Sequence, residues 1–316
     1  MIIAAALSWV GLSEVILTAL FPVLLLGGIG AIADRLLSFD RACLNKFNVY
    51  VLLPPLLFST LMQAHVDADS VLRVIGYLAI CFTGMGLLGY GFARMRKLDG
   101  GTTSSAVLAT TFFNGFNLGF PVAAFTFGDE GLKLASVLIA VNTIPHNGGS
   151  LFIAARGALT TRQTLTRLAR MPMFYVLGLA VLMRLLGWSL PTPVMEPINS
   201  LGLAALPITI VCVGMELGRM RIGALDLTLA GVVALRLLVA PMLAIAAADL
   251  VGLTGLLRAV VILQASMPSA IAPIVYARVF GGNVDLLSRA AFYSTLGSMI
   301  TLPFLLVYLK SSLQIP

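Results

Sequence analysis

The chain has 316 residues, of which 59% are hydrophobic and 10% are charged, and its mean hydropathy is +1.02. Soluble domains carry about 25% charged residues. The composition therefore excludes a soluble enzyme, a disordered protein and a nucleic-acid-binding domain, in spite of the formal net charge of +7. An open sheet cannot span lipid, and the alternation of a membrane strand is absent. We therefore predict an all-α polytopic membrane protein.

Hydropathy predicts ten transmembrane helices, at about 20 apolar residues for each helix. In chain order these helices cover residues 10–33, 44–63, 70–92, 103–127, 131–155, 171–187, 193–217, 224–249, 256–280 and 288–309. No Lys or Arg precedes Arg35. Because a signal peptide begins with basic residues, we expect the first apolar run to be retained as a transmembrane helix.

The basic residues predict the orientation of these helices. Most of the 20 Lys and Arg residues cluster after the first, third, fifth, seventh and ninth predicted helices. Loops rich in Lys and Arg remain in the cytoplasm. We therefore expect a multi-pass protein of the inner (plasma) membrane with both termini on the non-cytoplasmic side. The net positive charge then orients the chain and contacts anionic lipid, and it does not indicate a nucleic-acid partner.

Neither a metal site nor a cofactor is indicated. The cysteines Cys43, Cys81 and Cys212 lie far apart in apolar runs, and they lack the spacing of metal ligands. We expect three buried and inert thiols.

Prolines recur in the two halves of the chain at a nearly constant separation. The pairs, 150 to 152 residues apart, are Pro22 with Pro172, Pro55 with Pro207, and Pro121 with Pro273. This spacing predicts two repeats of five helices, over residues 1–156 and 171–316, joined by a cytoplasmic linker at 157–170. An odd number of helices inverts the second repeat, and such 5+5 inverted repeats are typical of secondary transporters.

The fourth and ninth predicted helices are interrupted at corresponding places. The fourth contains Asn-Gly-Phe-Asn-Leu-Gly-Phe-Pro at 114–121, and the ninth contains Ser-Met-Pro-Ser-Ala-Ile-Ala-Pro at 266–273. Pro costs about 3 kcal/mol and Gly about 1 kcal/mol inside a helix, so both helices should unwind near mid-membrane. Unwound backbone there must line a cavity or be buried in protein. Paired breaks of this kind indicate a transporter's binding site.

The N-terminus of each half-helix carries a partial positive charge and free N–H groups, which favour an anion. Asn side chains can donate to a carboxylate or accept from a hydroxyl. The alternative is a proline kink in which the Asn side chains cap freed backbone groups. The predicted substrate-binding residues are Asn114, Gly115, Asn117, Gly119, Pro121, Pro268, Ser269, Ala270 and Pro273.

Polar side chains inside the predicted helices are candidates for ion coupling. His146 titrates near neutral pH and suits proton coupling, although a His bonded to a neighbouring helix is the alternative. Arg236, roughly 16 Å deep at 1.5 Å per residue, would attract an anion, pair with an acid such as Glu216, or clamp backbone carbonyls. Further oxygen donors for a sodium ion are Asn142, Thr143, Gln264 and Ser266.

These runs resemble a known family. Residues 267–278, Met-Pro-Ser-Ala-Ile-Ala-Pro-Ile-Val-Tyr-Ala-Arg, resemble the ninth helix of the auxin efflux carrier family, and residues 114–121 are similar to its fourth-helix motif. The run Leu-Arg-Leu-Leu at 235–238 and the segment 286–309 also resemble the family. The resemblance covers essentially the whole chain and is most specific in the fourth and ninth helices.

The resemblance implies a ten-helix inverted repeat related to the bile acid:sodium symporters. Helices one, two, six and seven would form a scaffold and a homodimer contact. The other six would form a transport domain in which helices four and nine cross. The family includes plant auxin exporters and bacterial members regarded as malate or malonate permeases. Unlike the bile acid symporters, this chain has no acidic residue at the ninth-helix break, which argues against sodium coupling.

The leading hypothesis is a secondary carrier of small organic anions that works by alternating access, with a proton, sodium or no coupling ion. A membrane sensor or non-transporting subunit on the same fold is the alternative, and ligand binding without flux would favour it. A channel would show unsaturable flux. An intramembrane enzyme needs a nucleophile–base or metal set, and the two histidines do not supply one, so no catalytic residue is predicted.

Overall fold

The computed structural model describes residues 9–155, 162–163, 166, 172–220 and 223–313, and all the regular secondary structure in these ranges is helical. The α-helices are α1 Trp9–Val15, α2 Phe21–Leu37, α3 Arg41–Phe47, α4 Leu53–Gln63, α5 Ala68–Met95, α6 Gly100–Thr111, α7 Phe120–Ala155, α8 Pro172–Leu185, α9 Thr192–Leu217, α10 Leu227–Ala234, α11 Ala240–Leu250, α12 Gly255–Ala265, α13 Ala272–Phe280 and α14 Val284–Leu313. The predicted linker at 157–170 lies almost entirely outside the described residues, as do both chain ends.

Each of the ten segments that hydropathy predicts to be transmembrane contains at least one helix. Five continuous helical runs are long and apolar enough to cross a bilayer: Leu12–Leu37, Ala68–Met95, Thr192–Leu217, Leu227–Leu250 and Val284–Leu313. Shorter apolar helices cover Met173–Leu185 and Gly255–Ala265. The prediction of an all-helical protein is confirmed for the described residues. The count of ten spans and the inverted repeat stay predictions.

Four wide π-helical turns interrupt the helices, and a proline follows each turn. The turns cover Ile16–Leu20, Asn48–Leu52, Gly115–Gly119 and Leu235–Val239. The second residue after each turn is Pro22, Pro54, Pro121 or Pro241. A proline ring clashes with the carbonyl four residues earlier. Widening the preceding turn moves that carbonyl aside, so these prolines remodel the helices without ending them.

The helices pack as two groups. In the first helix group (α1–α4, α8 and α9), α9 packs on α2 and α4, and α8 packs on α4. In the second helix group (α5–α7 and α10–α14), α5 packs on α6 and α11, while α7 packs on α12 and α13. The groups meet where α4 contacts α7 and where α1 contacts α14. The family resemblance implies a scaffold and a transport domain with this division of helices, and these two roles stay predictions.

Glycines bring α2 and α9 into backbone contact. A Cβ atom at Gly214 would overlap the carbonyl of Gly27, and one at Gly30 would overlap the carbonyl of Val211. Small residues permit such close approach in membranes, where the hydrophobic effect does not drive helices together. The pair α2 and α9 is therefore a tight core of the first helix group.

The sequence placed a loop between the fourth and fifth predicted helices, and the structure has one residue of turn there. Gly128, with φ 64°, is the non-helical residue within Phe120–Ala155. Glycine alone adopts positive φ at low cost, so the chain changes direction at this residue without an extended loop.

Aspartates begin several helices. Asp99 accepts hydrogen bonds from the N–H groups of Gly101 and Thr102 at the start of α6. Bonds to Thr102 hold the pKa of Asp99 below its ordinary value. Asp67 and Asp226 cap α5 and α10 in the same way. Side chains therefore satisfy the free N–H donors at these helix starts.

The expectation of three buried thiols is wrong for one of them. Cys81 and Cys212 are buried, but Cys43 is exposed. Cys43 lies on the short helix α3, whose outer face is not covered by the described residues. Hydropathy alone does not tell a lipid-facing or solvent-facing position from a core position.

We expect Gly214→Ala to destabilise the protein by about 1–3 kcal/mol, because overpacked contacts cost about this much. The matched control is Gly28→Ala on α2, where a Cβ atom meets nothing within 4 Å. Thermal unfolding in detergent measures both. Equal melting temperatures for the two variants would contradict the close packing of α2 and α9.

Candidate functional site

The breaks of the two interrupted helices lie against each other. The Asn114 N–H donates to the Pro268 carbonyl at 2.8 Å, and the Ala270 N–H donates to the Phe112 carbonyl at 2.9 Å. Phe113 and Ser269 face each other in one antiparallel bridge between these two bonds. Each break therefore supplies the backbone partners that the other lacks. We call this contact the crossing.

The fourth predicted helix unwinds a few residues earlier than the positions of its glycines suggested. α6 ends at Thr111, residues 112–114 are not helical, and Gly115–Gly119 forms a wide helical turn. A Cβ atom at Gly115 would lie 2.7 Å from Oε1 of Gln264, and one at Gly119 would overlap the same atom. These two glycines therefore allow the wide turn to pack closely against α12, and residues 112–114 form the break itself.

The second break runs from Ser266 to Ile271, between α12 and α13. Its Ser269 hydroxyl donates to the carbonyl of Ala109 at 2.7 Å, and the Ser269 N–H donates to the Ser294 hydroxyl at 3.0 Å. Ser269 therefore ties the break to α6 and α14. Its side chain is 1% exposed and does not face open space.

Several buried polar atoms at the crossing have no hydrogen-bond partner among the described residues. They are Nδ2 of Asn114, both amide atoms of Gln264 and Oγ1 of Thr111. Asn114 is 3% exposed and Gln264 is 0% exposed. A buried polar group without a partner costs about 1–3 kcal/mol, and such groups are rare in native proteins. Their concentration here indicates a functional site.

A cavity of about 1090 Å³ lies between the two helix groups and reaches the crossing. On one side it is lined by Asn117 of the wide turn after the first break, by Ile271 of the second break and by Ala272 at the start of α13. Across the cavity lie Asn48 and Thr209 of the first helix group, whose side chains are hydrogen-bonded to each other at 2.9 Å. The cavity thus joins both breaks to the first helix group.

The structure divides the nine predicted substrate-binding residues into two sets. Asn117 lines the cavity. The other eight are buried: Asn114, Pro268, Ser269 and Ala270 lie in the two breaks, and Gly115, Gly119, Pro121 and Pro273 lie in the helical segments that follow them. The lining residues that sequence reasoning missed include Asn48, Thr209, Ile271 and Ala272. A polar residue in an otherwise apolar helix was the available signal for Asn48 and Thr209.

Charged residues line the end of the cavity that is far from the crossing. Buried Asp34 pairs with Nε of Arg219 at 2.7 Å, and Arg41 lies 3.8 Å from Glu216. Arg278 of α13 lines the opposite wall. Glu216 is therefore committed to Arg41, so it is not the partner of Arg236. The arginines belong to the clusters that the sequence analysis assigned to the cytoplasmic side.

His146 is bonded to a neighbouring helix segment. Its Nε2 donates to the carbonyl of Phe113 at 3.0 Å, within the crossing. Its ring meets the rings of Phe82, Phe112 and Phe113 edge-on, with centroids 5.2 to 6.4 Å apart. This bond is the one that the second interpretation of His146 expects, and proton coupling through this residue stays a prediction.

The remaining ion-coupling candidates are distributed around the crossing. The hydroxyls of Thr143 and Ser266 donate to the carbonyls one turn earlier in their own helices. Asn142 is buried, and its Oδ1 has no partner among the described residues. Arg236 is 1% exposed and donates to backbone carbonyls of α6 and α12, so it is a carbonyl clamp. Within the described ranges, no cluster of three His, Cys, Asp or Glu residues could hold a metal ion.

The chain is similar to known membrane transport proteins over nearly all its length. It is 32% identical to an uncharacterized transporter of Methanothermobacter thermautotrophicus over 299 residues, covering 93% of this chain and 97% of the relative. It is 23% identical to an uncharacterized transporter of Methanocaldococcus jannaschii, over 92% of this chain and 96% of the relative. Over 75 residues it is 39% identical to auxin efflux carrier component 1 of Arabidopsis thaliana, covering 24% of this chain and 12% of the relative.

The family model described as membrane transport protein matches residues 15–156 and 156–306. These matches cover almost all the helices described above, including both breaks. The family resemblance of residues 114–121 and 267–278 is thereby confirmed. The chain belongs to the membrane transport protein family, which includes the auxin efflux carriers.

Proposed function

We propose that the protein is a secondary active carrier of small organic anions, with carboxylates as the substrate class, and that the substrate binds at the crossing. One observation carries this proposal: the cavity is lined by residues in or next to both breaks, namely Asn117, Ile271 and Ala272. Transporters place substrate where half-helices begin inside the membrane.

Electrostatics at the inner end of the cavity favour an anion. The wide turn from Gly115 and the helix from Ala272 begin beside the cavity, and each N-terminus carries about +0.5 charge. The acidic residues that line the cavity are Asp40, Glu216 and Asp285. All three lie near the helix ends at the far rim, where arginines accompany them. A carboxylate at the inner end would meet donors and no nearby carboxylate.

Amide side chains supply the remaining recognition. Asn117 lines the cavity and can donate two hydrogen bonds to a carboxylate. Asn114 and Gln264 lie directly behind it with unpartnered amide atoms. A bound ligand, or a small shift of the crossing on binding, would give these atoms partners.

The division into two helix groups supports alternating access. The second helix group carries both breaks, and the cavity separates its inner face from Asn48 and Thr209 of the first helix group. We assign the first group as scaffold and the second as transport domain. With the predicted orientation in the plasma membrane, the cavity faces the cytoplasm. Exposed apolar side chains on α2 and α8, such as Ile32, Leu36 and Leu182, suit a homodimer contact through the scaffold.

His146 is the residue through which we propose that a proton would couple to transport. Its bond to the Phe113 carbonyl lies between the two backbone bonds of the crossing. Nε2 already carries the proton that it donates, so a coupling proton would add at Nδ1, and the positive charge on the ring would then act on the crossing through this bond. The oxygens of Asn142 and Gln264 are the corresponding candidates for a sodium ion.

We expect Asn117→Ala to raise the KM for carboxylate uptake about tenfold or more, since a lost bond worth about 1.4 kcal/mol gives a factor of ten. The measurement is uptake by proteoliposomes, with Asn114→Ala tested in parallel and Asn199→Ala on α9 as the matched control. Unchanged kinetics in both Asn114→Ala and Asn117→Ala would show that the site is elsewhere. Saturable binding without uptake in sealed vesicles would favour a sensor instead.

We expect Gln264→Met to stabilise the ligand-free protein and to weaken carboxylate binding. Methionine fills a similar volume and removes two unpartnered polar atoms, each of which costs about 1–3 kcal/mol when buried. Thermal unfolding with and without carboxylate measures both effects, and Gln63→Met at the end of α4 is the control. A lower melting temperature with an undiminished carboxylate shift would make Gln264 a purely structural residue.

A further inference from the structure

Arg236 occupies a wide helical turn between α10 and α11, inside the second helix group. Its Nη1 donates to the carbonyl of Thr110 at 2.9 Å, and its Nη2 donates to the carbonyl of Ala265. α6 ends at Thr111 and α12 ends at Ala265. One guanidinium thus holds the C-terminal ends of both helices that stop at the crossing.

No carboxylate pairs with Arg236 among the described residues. The side chains packed around it include Cys81, Phe113 and Leu243, with the guanidinium 5.9 Å from the centre of the Phe113 ring. Glu216, the acid considered from the sequence, pairs with Arg41. The charge of Arg236 is therefore met by backbone carbonyls and not by an acid.

The charge of Arg236 and the partial charges of the two helix ends beside it sum to about zero. The C-terminus of a helix carries about −0.5 charge, so the ends of α6 and α12 together carry about −1. The guanidinium carries one positive charge and is hydrogen-bonded to the C-terminal ends of both helices. An unpaired charge in a membrane interior is costly, and here the two helix ends are its counter-charge.

We propose that Arg236 is a positioning residue that gives the crossing its preference for anions, by cancelling the negative ends of α6 and α12. This inference rests on the proposed function. The next half-helices begin only a few residues further on, at Gly115 and Ala272. Because Arg236 offsets the negative charge at the C-terminal ends of α6 and α12, the positive N-termini at Gly115 and Ala272 determine the electrostatic potential in the cavity. Without Arg236, the negative ends would oppose them, and Arg236 acts without touching the substrate.

A thiol placed at Asn117 tests this potential without any substrate. Asn117 lines the cavity, so Asn117→Cys, in a background where Cys43, Cys81 and Cys212 are Ala, presents a thiol to water. The rate of its alkylation against pH gives the thiol pKa. The thiolate is an anion, so a positive potential at the crossing lowers that pKa.

We expect Arg236→Met to raise the measured pKa of this thiol by about one unit, and Arg236→Lys, which keeps the charge, to leave it nearly unchanged. The matched control is Arg184→Met. Arg184 also donates to carbonyls at a helix end, those of Leu61 and Ala64, but it lies in the first helix group. This control should leave the thiol pKa unchanged.

Equal thiol pKa values in wild-type, Lys and Met backgrounds would overturn the proposal, and so would a Lys variant that behaves like the Met variant. If Arg236→Met does not fold, Arg236→Gln takes its place, because glutamine keeps hydrogen-bond donors and lacks the charge, and it should raise the thiol pKa to the same extent. In uptake assays with benzoate and benzamide, Arg236→Met should lower the benzoate preference about tenfold. Absence of benzoate uptake in every background would count against the proposed function and would leave the thiol result standing.

Discussion

Two backbone hydrogen bonds at the crossing are the feature on which the rest of the structure depends. In a membrane interior, an unwound segment has no water to satisfy its N–H and C=O groups. The bonds from Asn114 to Pro268 and from Ala270 to Phe112 give each break the partner it needs. The breaks are therefore stable only together, and the helix ends they create are held side by side. A site made of helix ends follows directly from this constraint.

The arrangement of charge around the crossing follows from the same helix ends. The C-terminal ends of α6 and α12 lie on Arg236, on the side away from the cavity. The N-terminal ends at Gly115 and Ala272 lie beside the cavity, where Asn117 lines its wall. The buried arginine thus offsets the negative helix ends, and the proposed anion site uses the positive ones. A bound anion could supply partners for the buried amide donors of Asn114 and Gln264.

Much of the fold was predictable because glycine, proline and hydropathy act locally. The positions of the helices, the break at Pro268 and the place of Asn117 next to the other break could all be derived from neighbouring residues. The partners of Arg236 and the packing of Gln264 could not, because Thr110 and Ala265 reach Arg236 only through the tertiary fold. The break before Gly115 was predicted a few residues late, since the glycines there serve close packing against Gln264. Asn48 and Thr209 were missed because a single polar residue in an apolar helix does not show which helix or cavity its side chain faces.

The most direct test of the account is an electron cryo-microscopy structure of the protein with a saturating carboxylate chosen by thermal shift. At a hundred times its Kd such a ligand stabilises the protein by about 2.7 kcal/mol, which identifies a suitable compound. The account predicts carboxylate density in the cavity, between the Asn117 side chain and the N-terminus of the helix at Ala272. Density confined to the arginine-lined rim near Arg41 and Arg278, with the crossing empty, would contradict it.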